Sequence, residues 1–381
     1  MTSKHLIVTG VLPGDGGAGS FINYIKNKNA KLFYVNYFSN NKFLNSVLNR
    51  FKIYDIISFL KSNYLIFILK NNNINKNIIF FHPQSIGYFN FKLLTKKLNQ
   101  SKKNKMFLYV IDNSFFCVKS YNYLKENNAP SCFKCADNLN SYKNFNCKSF
   151  PLNSNKNNRL SSLINYLVKS EKIELCFQNI LQFKIAKSIY GFNFKYKIVG
   201  LWTDEYNLFK NEINTKLNDT GFNIVYHGSA HEAKGFLWAL ELACNTPSLS
   251  FLFPINILNV PENYHNLKNC KFIDCQWETG LKYYCEQADA VIVPSLWSAC
   301  IESALIKSLL IAKRVIVVEN KTAYYNEIPI ALYYEIKYNI EEASEQIQKV
   351  IENPVIDNIT RKKWFADFKN FNSMVFDKLT E

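Results

Sequence analysis

The sequence predicts an α/β protein made of two doubly wound, parallel-sheet domains, and three observations carry that prediction. Its 381 residues exceed the roughly 100–200 residues of an ordinary domain, so two hydrophobic cores are expected. Apolar residues make up 48% of the chain and charged residues only 20%, a globular rather than a disordered balance. Short β-rich apolar runs alternate with helix-like stretches through both halves, as in parallel sheets covered by helices on both faces.

Taken in order, strands are expected at residues 6–10, 32–38, 78–81, 107–112, 173–177 and 197–202, with helices such as 91–99 and 179–190 between them. The second half repeats the theme with strands at 223–228, 251–255, 271–275, 290–294 and 314–318, and helices at 235–243, 280–288 and 303–310. Residues 205–221 are polar, lack a strand pattern and read as the inter-domain linker. Trp364, Phe368, Phe371 and Phe376 recur at helical intervals, so 359–379 reads as a closing amphipathic helix. The expected organisation is a first domain over 1–204 with a cysteine-rich insertion at 113–150, a second over 222–358, and a helical tail over 359–381 that can pack back on the first. Doubly wound sheets bind ligands outside the carboxyl ends of their strands, which places the expected site in a cleft between the domains.

No apolar run approaches the ~18–20 residues of a membrane span. Met1 leads straight into the first strand without an apolar leader or a small-residue cleavage site, so a cytosolic protein is expected rather than a secreted or integral one. The charge is uneven. Residues 1–200 hold 29 Lys and Arg against 7 Asp and Glu, whereas 201–381 hold 17 against 23. A basic half of this kind points to an anionic partner: nucleic acid, a membrane surface or a phosphorylated substrate. Compositional bias toward Asn, Lys, Ile, Phe and Tyr is the competing account, and it does not explain why acidic residues are scarce in one half only.

The first strand empties into Pro13-Gly14-Asp15-Gly16-Gly17-Ala18-Gly19-Ser20 and then a helix. Gly16 and Gly17 there allow backbone amides to approach a phosphate, although a plain tight turn reads equally well. The strand at 223–228 is followed by Ser229-Ala230-His231-Glu232-Ala233-Lys234-Gly235 and a helix. A lysine at that point can neutralise a diphosphate alongside the helix dipole, with Ser229 and His231 beside it. The strand at 290–294 enters Ser295-Leu296-Trp297-Ser298-Ala299-Cys300-Ile301-Glu302-Ser303. Ser295, Trp297, Ser298, Ala299 and Ser303 form a polar turn opening a helix, and Glu302 offers acceptors to sugar or ribose hydroxyls. Taken singly, Lys234 reads equally as a solvated lysine and Glu302 as a first-turn helix residue. His82, in His82-Pro83-Gln84-Ser85, ends a strand at its carboxyl edge and is a candidate base or acceptor-binding residue, with a structural histidine as the alternative.

In this order the glycine loop, Gly-x5-Lys-Gly and Pro-Ser-Leu-Trp resemble the retaining GT-B glycosyltransferases of the large family four, group 1 type. The resemblance covers essentially the whole chain and is strongest from Ile224 to Pro329. It departs from the family pattern where Ser229 stands in place of an arginine. Of the two glutamates that the family spaces eight apart, Ser298 holds the first position and Lys307 the second, allowing a one-residue shift. The resemblance implies two Rossmann-like domains facing a cleft, with a UDP- or GDP-sugar bound by the second and the acceptor by the first. It also implies retention of configuration without a divalent metal in the chemistry. Lys234 would contact the diphosphate, and the Ser298–Glu302 loop would cradle phosphate and sugar. The acceptor read from this is a glycan, lipid-linked at the inner membrane face and serving cell-surface polysaccharide synthesis, with no nucleic-acid partner. Alternatives are a non-catalytic GT-B partner subunit, a nucleotide-sugar epimerase, or a nucleic-acid-binding zinc protein.

Cys117, Cys132, Cys135 and Cys147 give C-x14-C-x2-C-x11-C in a basic, strand-poor stretch. Four thiolates with a C-x2-C pair match structural zinc; an iron–sulfur cluster, disulfides and unrelated buried cysteines are the competing readings. The segment also resembles a subgroup in which His-Asp-x4-Cys opens a cysteine-bearing insertion. Asp112 and Cys117 keep that phase, and Ile111 takes the place of the histidine.

Overall fold

The structure is a computed structural model and describes residues 5–14, 18–26, 28, 31–35, 53–71, 77–100, 104–125, 129–148, 154–191, 193–202 and 221–381. The chain separates into two compact units, each discontinuous in sequence. The first comprises Met1–Ser120, Lys134–Trp202 and Asn372–Glu381; the second comprises Tyr121–Phe133 and Thr203–Phe371. Apart from Gly221, the expected linker falls outside the described residues.

The first unit is built on six parallel strands: β1 (His5–Thr9), β2 (Lys31–Tyr34), β3 (Asn77–Phe81), β4 (Lys105–Val110), β5 (Glu174–Phe177) and β6 (Tyr196–Ile198), in the order β2-β1-β3-β4-β5-β6. β3 reads Asn-Ile-Ile-Phe-Phe and every residue is buried. A strand covered on both faces has no polar side, which is why these runs are continuous rather than alternating. Phe21, from the helix Ala18–Lys26, stacks on Phe81 and Tyr109 at 5.2 and 4.9 Å.

The helix Ile53–Asn71 carries apolar residues around most of its circumference. Leu65 and Ile66 are buried, while Phe59, Leu60, Tyr64 and Phe67 are each more than half exposed. No helix among the described residues is long and apolar enough to cross a membrane.

The second unit carries β7 (Ile224–Tyr226), β8 (Phe251–Phe253), β9 (Cys270–Phe272), β10 (Ala290–Ile292), β11 (Val315–Val318) and β12 (Tyr334–Ile336), parallel and ordered β12-β11-β10-β7-β8-β9. β12 is not evident in the sequence, because a three-residue edge strand with an exposed Glu335 has no apolar run to show. Arg361 is buried and donates to Leu310 O at 3.1 Å and Ala312 O at 2.6 Å. Its charge thereby meets the negative end of the helix Ser303–Ile311.

The closing helix is two helices, Asn358–Ser373 and Val375–Thr380, separated at Met374. Phe368 and Phe376 are buried, but Phe371, within the same helix as Phe368, is exposed, so the four expected aromatics do not share one buried face. Val375 and Leu379 are fully buried in the first unit's core, and Asn77 Nδ2 donates to Thr380 O at 2.8 Å.

Candidate functional site

In the second sheet, β10 lies beside β7, and the strand order runs outward from that pair in opposite directions. A crevice suited to a ligand opens at such a reversal, outside the carboxyl ends of the two strands. The loops leaving β7 and β10 are those that carry the sequence motifs.

The first loop is gathered around Tyr226, which is fully buried. The Tyr226 hydroxyl lies 2.8 Å from Ser229 O and 3.2 Å from Lys234 O. Burial, reinforced by the Glu302 charge, pushes the phenol well above its ordinary pKa, so it remains a donor. A Cβ on Gly228 would stand 2.6 Å from that hydroxyl. His231 Nδ1 accepts from Ala233 N at 3.1 Å and caps the turn Glu232–Lys234. Gly235 follows with φ +72°, and a Cβ there would lie 2.0 Å from Pro294 O, at the start of the second loop. Leu296 N donates to Ala233 O at 2.9 Å, so backbone locks the two loops together.

Across that seam Lys234 Nζ pairs with Glu302 Oε1, the Ser295 hydroxyl donates to Glu302 Oε2, and Trp297 Nε1 donates to Oε1 at 3.0 Å. The carboxylate that sequence reasoning reserved for a sugar is therefore occupied by three protein donors. Its side chain is 7% exposed, against 22% for Lys234. The ammonium lies 4.9 Å from the Trp297 ring and 5.7 Å from the Tyr121 ring. It has three N–H groups, and one directed at Glu302 leaves two for an anion arriving from the accessible side.

Ser298 and Ala299 turn elsewhere. Ser298 N donates to Asn122 Oδ1 and Asn122 Nδ2 donates to Ser298 Oγ, both at 2.9 Å, while Thr322 Oγ1 is 2.7 Å from the same hydroxyl. Ala299 N bonds to Trp297 O. Ser229 is exposed, and Ser303 is half-buried as the first residue of its helix.

Compared as whole structures, the chain is similar to sucrose-phosphate synthase from Thermosynechococcus elongatus, with a TM-score of 0.61 and 10% identity over 98% of this chain and 97% of that one. It is similar to Anabaena HepE in complex with UDP and glucose, with a TM-score of 0.55 and 10% identity over 99% of each chain. It is also similar to AviGT4, a glycosyltransferase involved in avilamycin A biosynthesis, with a TM-score of 0.52 and 9% identity over 99% and 97%. The chain has the GT-B fold. No family model and no curated protein matches its sequence.

The other Rossmann-like unit of this GT-B chain holds His82. It adopts a left-handed backbone, φ 53°, immediately before Pro83, a conformation rare for residues other than glycine. Its Nδ1 is buried with no hydrogen-bond partner among the described residues, as is Gln84 Oε1. Burial pushes the His82 pKa below its ordinary value, and the nearby Asp112 charge opposes that shift. Gln84 Nε2 lies 3.4 Å from each Asp112 carboxylate oxygen. Gly16 and Gly17 lie outside the described residues.

The expected zinc site does not form. Among the described residues no three His, Cys, Asp or Glu side chains gather as metal ligands. Cys132 belongs to the second unit, whereas Cys117, Cys135 and Cys147 belong to the first. Cys135 is buried with Val118 and Tyr142, and Cys147 packs against them, so these thiols contribute to a small apolar cluster. Hydrogen bonds hold the segment instead, among them Asn157 Nδ2 to Val118 O at 2.8 Å and Ser161 Oγ to Ser114 O at 2.6 Å.

His227 belongs to none of the sequence motifs. It is buried at the end of β7, stacks on Trp277 at 5.2 Å, and its Nδ1 lies 2.9 Å from Ser308 Oγ. Burial, then the Lys307 charge, push its pKa from 6.5 down to about 3. Between those values the unfolded chain binds the proton and the folded chain does not, so this residue's contribution to stability is lost as pH falls from 6.5 toward 3. The slope is about 1.4 kcal/mol per pH unit. Urea midpoints measured across that range should fall less steeply for His227→Gln than for the parent; equal slopes would remove His227 as the source.

Proposed function

We propose that the chain is a retaining glycosyltransferase that transfers a hexosyl unit from a UDP- or GDP-sugar to a glycan acceptor. The observation that carries this reading is the Lys234–Glu302 pair, set between the β7 and β10 loops at the point where the strand order reverses. A cation held there by a buried carboxylate, with two further N–H groups to donate, suits the diphosphate of a departing nucleotide. As the bond from the anomeric carbon breaks, its electron pair stays on the diphosphate, and Lys234 stabilises that charge. The acceptor hydroxyl attacks from the same face, and its proton passes to the leaving phosphate oxygen. His82, with an imidazole nitrogen left unpaired, is assigned to the acceptor. Anabaena HepE, which has the same fold, binds UDP and glucose.

A thermal-shift panel of UDP-, GDP-, ADP- and CMP-sugars tests the donor. A ligand at ~100 times its Kd should add about 2.7 kcal/mol of stability, and the donor so found should label a glycan acceptor. A panel without any stabilising ligand would defeat the reading. Donor binding without transfer would identify a non-catalytic partner subunit.

The acceptor is proposed to be lipid-linked, reached from the cytoplasmic face of a membrane. Phe59, Leu60, Tyr64 and Phe67 expose apolar area in the half of the chain that holds 29 basic and 7 acidic residues, a pairing suited to an anionic bilayer surface. The exposed Lys96 and Lys105 and half-buried Lys97 are the basic candidates, while Lys102 and Lys103 lie outside the described residues. Binding to vesicles with acidic lipid should fall steeply as salt shrinks the screening length from ~10 Å at 0.1 M to ~3 Å at 1 M. It should fall again when Phe59 and Phe67 become serine. Binding unaffected by both changes would remove the membrane from the proposal.

A further inference from the structure

The geometry points to Tyr121 as a donor-binding residue of the second unit, its ring forming a wall for the carbohydrate ring joined to the diphosphate. This inference rests on the donor site proposed above and extends it to a segment, Tyr121–Phe133, that precedes the rest of that unit by about seventy residues of chain.

The segment is tied at both ends to the loop that follows β10. Asn122 engages the amide and the hydroxyl of Ser298, as described. Ser131 N donates to Leu296 O at 2.8 Å, and Ser131 Oγ donates to Asn320 Oδ1 at 3.0 Å. Asn320 Nδ2 reaches Trp297 O at 2.7 Å. The loop that carries Ser295, Trp297 and Glu302 is thus braced by side chains from far earlier in the sequence. Ser131 takes up a left-handed backbone, φ 61°, to make these contacts.

Two tyrosines of the segment have different surroundings. Tyr123 is 4% exposed, joins the second unit's core and meets the Tyr338 hydroxyl at 3.2 Å. It is an anchor. Tyr121 is only half-buried. Its ring meets Trp297 edge-on at 4.6 Å and His231 at 5.0 Å, and its centre is 5.7 Å from Lys234 Nζ. A ring that touches both loops and lies beside the ammonium will face whatever is bonded to the phosphates held there. In a nucleotide-sugar that group is the transferred hexose on one side and the ribose on the other. Both present C–H surface that packs on an aromatic face.

The test is titration of the full chain with UDP-glucose and with UDP, or with GDP-mannose and GDP if the panel selects guanosine. Tyr121→Ala should raise Kd about five- to tenfold, while Tyr121→Phe, which keeps the ring, should bind as the parent does. Weakening of the nucleotide-sugar alone assigns the hexose to the wall; equal weakening of both ligands assigns the ribose. Asn122→Ala, in which only the brace is lost, should weaken the same ligand and serves as the positioning control. Lys234→Ala separates the two levels of the argument. If it abolishes donor binding while Tyr121→Ala melts as the parent and leaves both Kd values unchanged, Tyr121 has no part in the site. If Lys234→Ala binds donor normally, the proposed donor site itself is wrong.

Discussion

Lys234→Ala should lower glycosyl transfer ten- to a thousandfold, the loss typical when one preorganised donor to a developing negative charge is removed. The same substitution removes the counter-ion of Glu302, whose side chain is 7% exposed and retains Ser295 and Trp297 as donors, and loss of one partner of a buried pair costs at most about 3–5 kcal/mol of stability. Activity and folding must therefore be separated. Glu302→Gln retains the shape that Trp297 and Ser295 hold while removing the charge that orients Lys234. Because both Glu302 oxygens are occupied by protein donors, Glu302→Gln should weaken nucleoside diphosphate and nucleotide-sugar together. Selective loss of the sugar would mean that Glu302 contacts it directly. Turnover unchanged in a folded Lys234→Ala protein would remove the lysine from the chemistry.

Gly235→Ala should be the most destabilising single methyl added to the second unit's site loops. The position has φ +72°, and the new Cβ would lie 2.0 Å from Pro294 O. The left-handed backbone costs an L-residue roughly 1–2 kcal/mol, and forcing apart two packed loops adds about 1–3 kcal/mol. A combined loss of about 2–5 kcal/mol should appear in urea unfolding, together with loss of donor binding as the β7 and β10 loops separate. A parent-like urea midpoint would show that the loops are not locked as described. Gly221→Ala, where an added Cβ meets nothing within 4 Å, is the matched control.

Both sheets were legible because buried parallel strands such as β3 and β11 (Val-Ile-Val-Val) are continuous apolar runs. Lys234 and Glu302 were legible for a related reason: each sits in a short motif directly after a strand, where sequence and space run together. Their pairing with each other was not, since it depends on β7 and β10 becoming neighbours. Tyr121 and Asn122 carried no local signal at all. Their partners in the site loops are 110 to 176 residues later, and their neighbourhood was dominated by the C-x2-C pattern. That pattern misled because spacing does not show where the thiols turn: among the described residues no three ligands gather, and Cys135 and Cys147 pack in an apolar cluster. The break at Met374 was equally hidden, as periodicity alone does not show a one-residue interruption of a helix.

The discontinuity of the two units bears on how the protein is made. A ribosome delivers Tyr123 long before β7 to β12, the strands whose core it completes, and delivers Val375 and Leu379 after everything else in theirs. The first unit cannot complete its core until Val375 and Leu379 are made, whereas the second must recover a segment made much earlier. The first therefore holds its core partly uncovered until Leu379 has emerged, and the second must close a loop of about seventy residues. The entropic cost of such a loop grows only slowly with its length, so the burden falls on rate, through the long wait for distant contacts. During that wait the apolar strands are open to pairing with other chains, the exposure that makes incompletely folded proteins prone to aggregate.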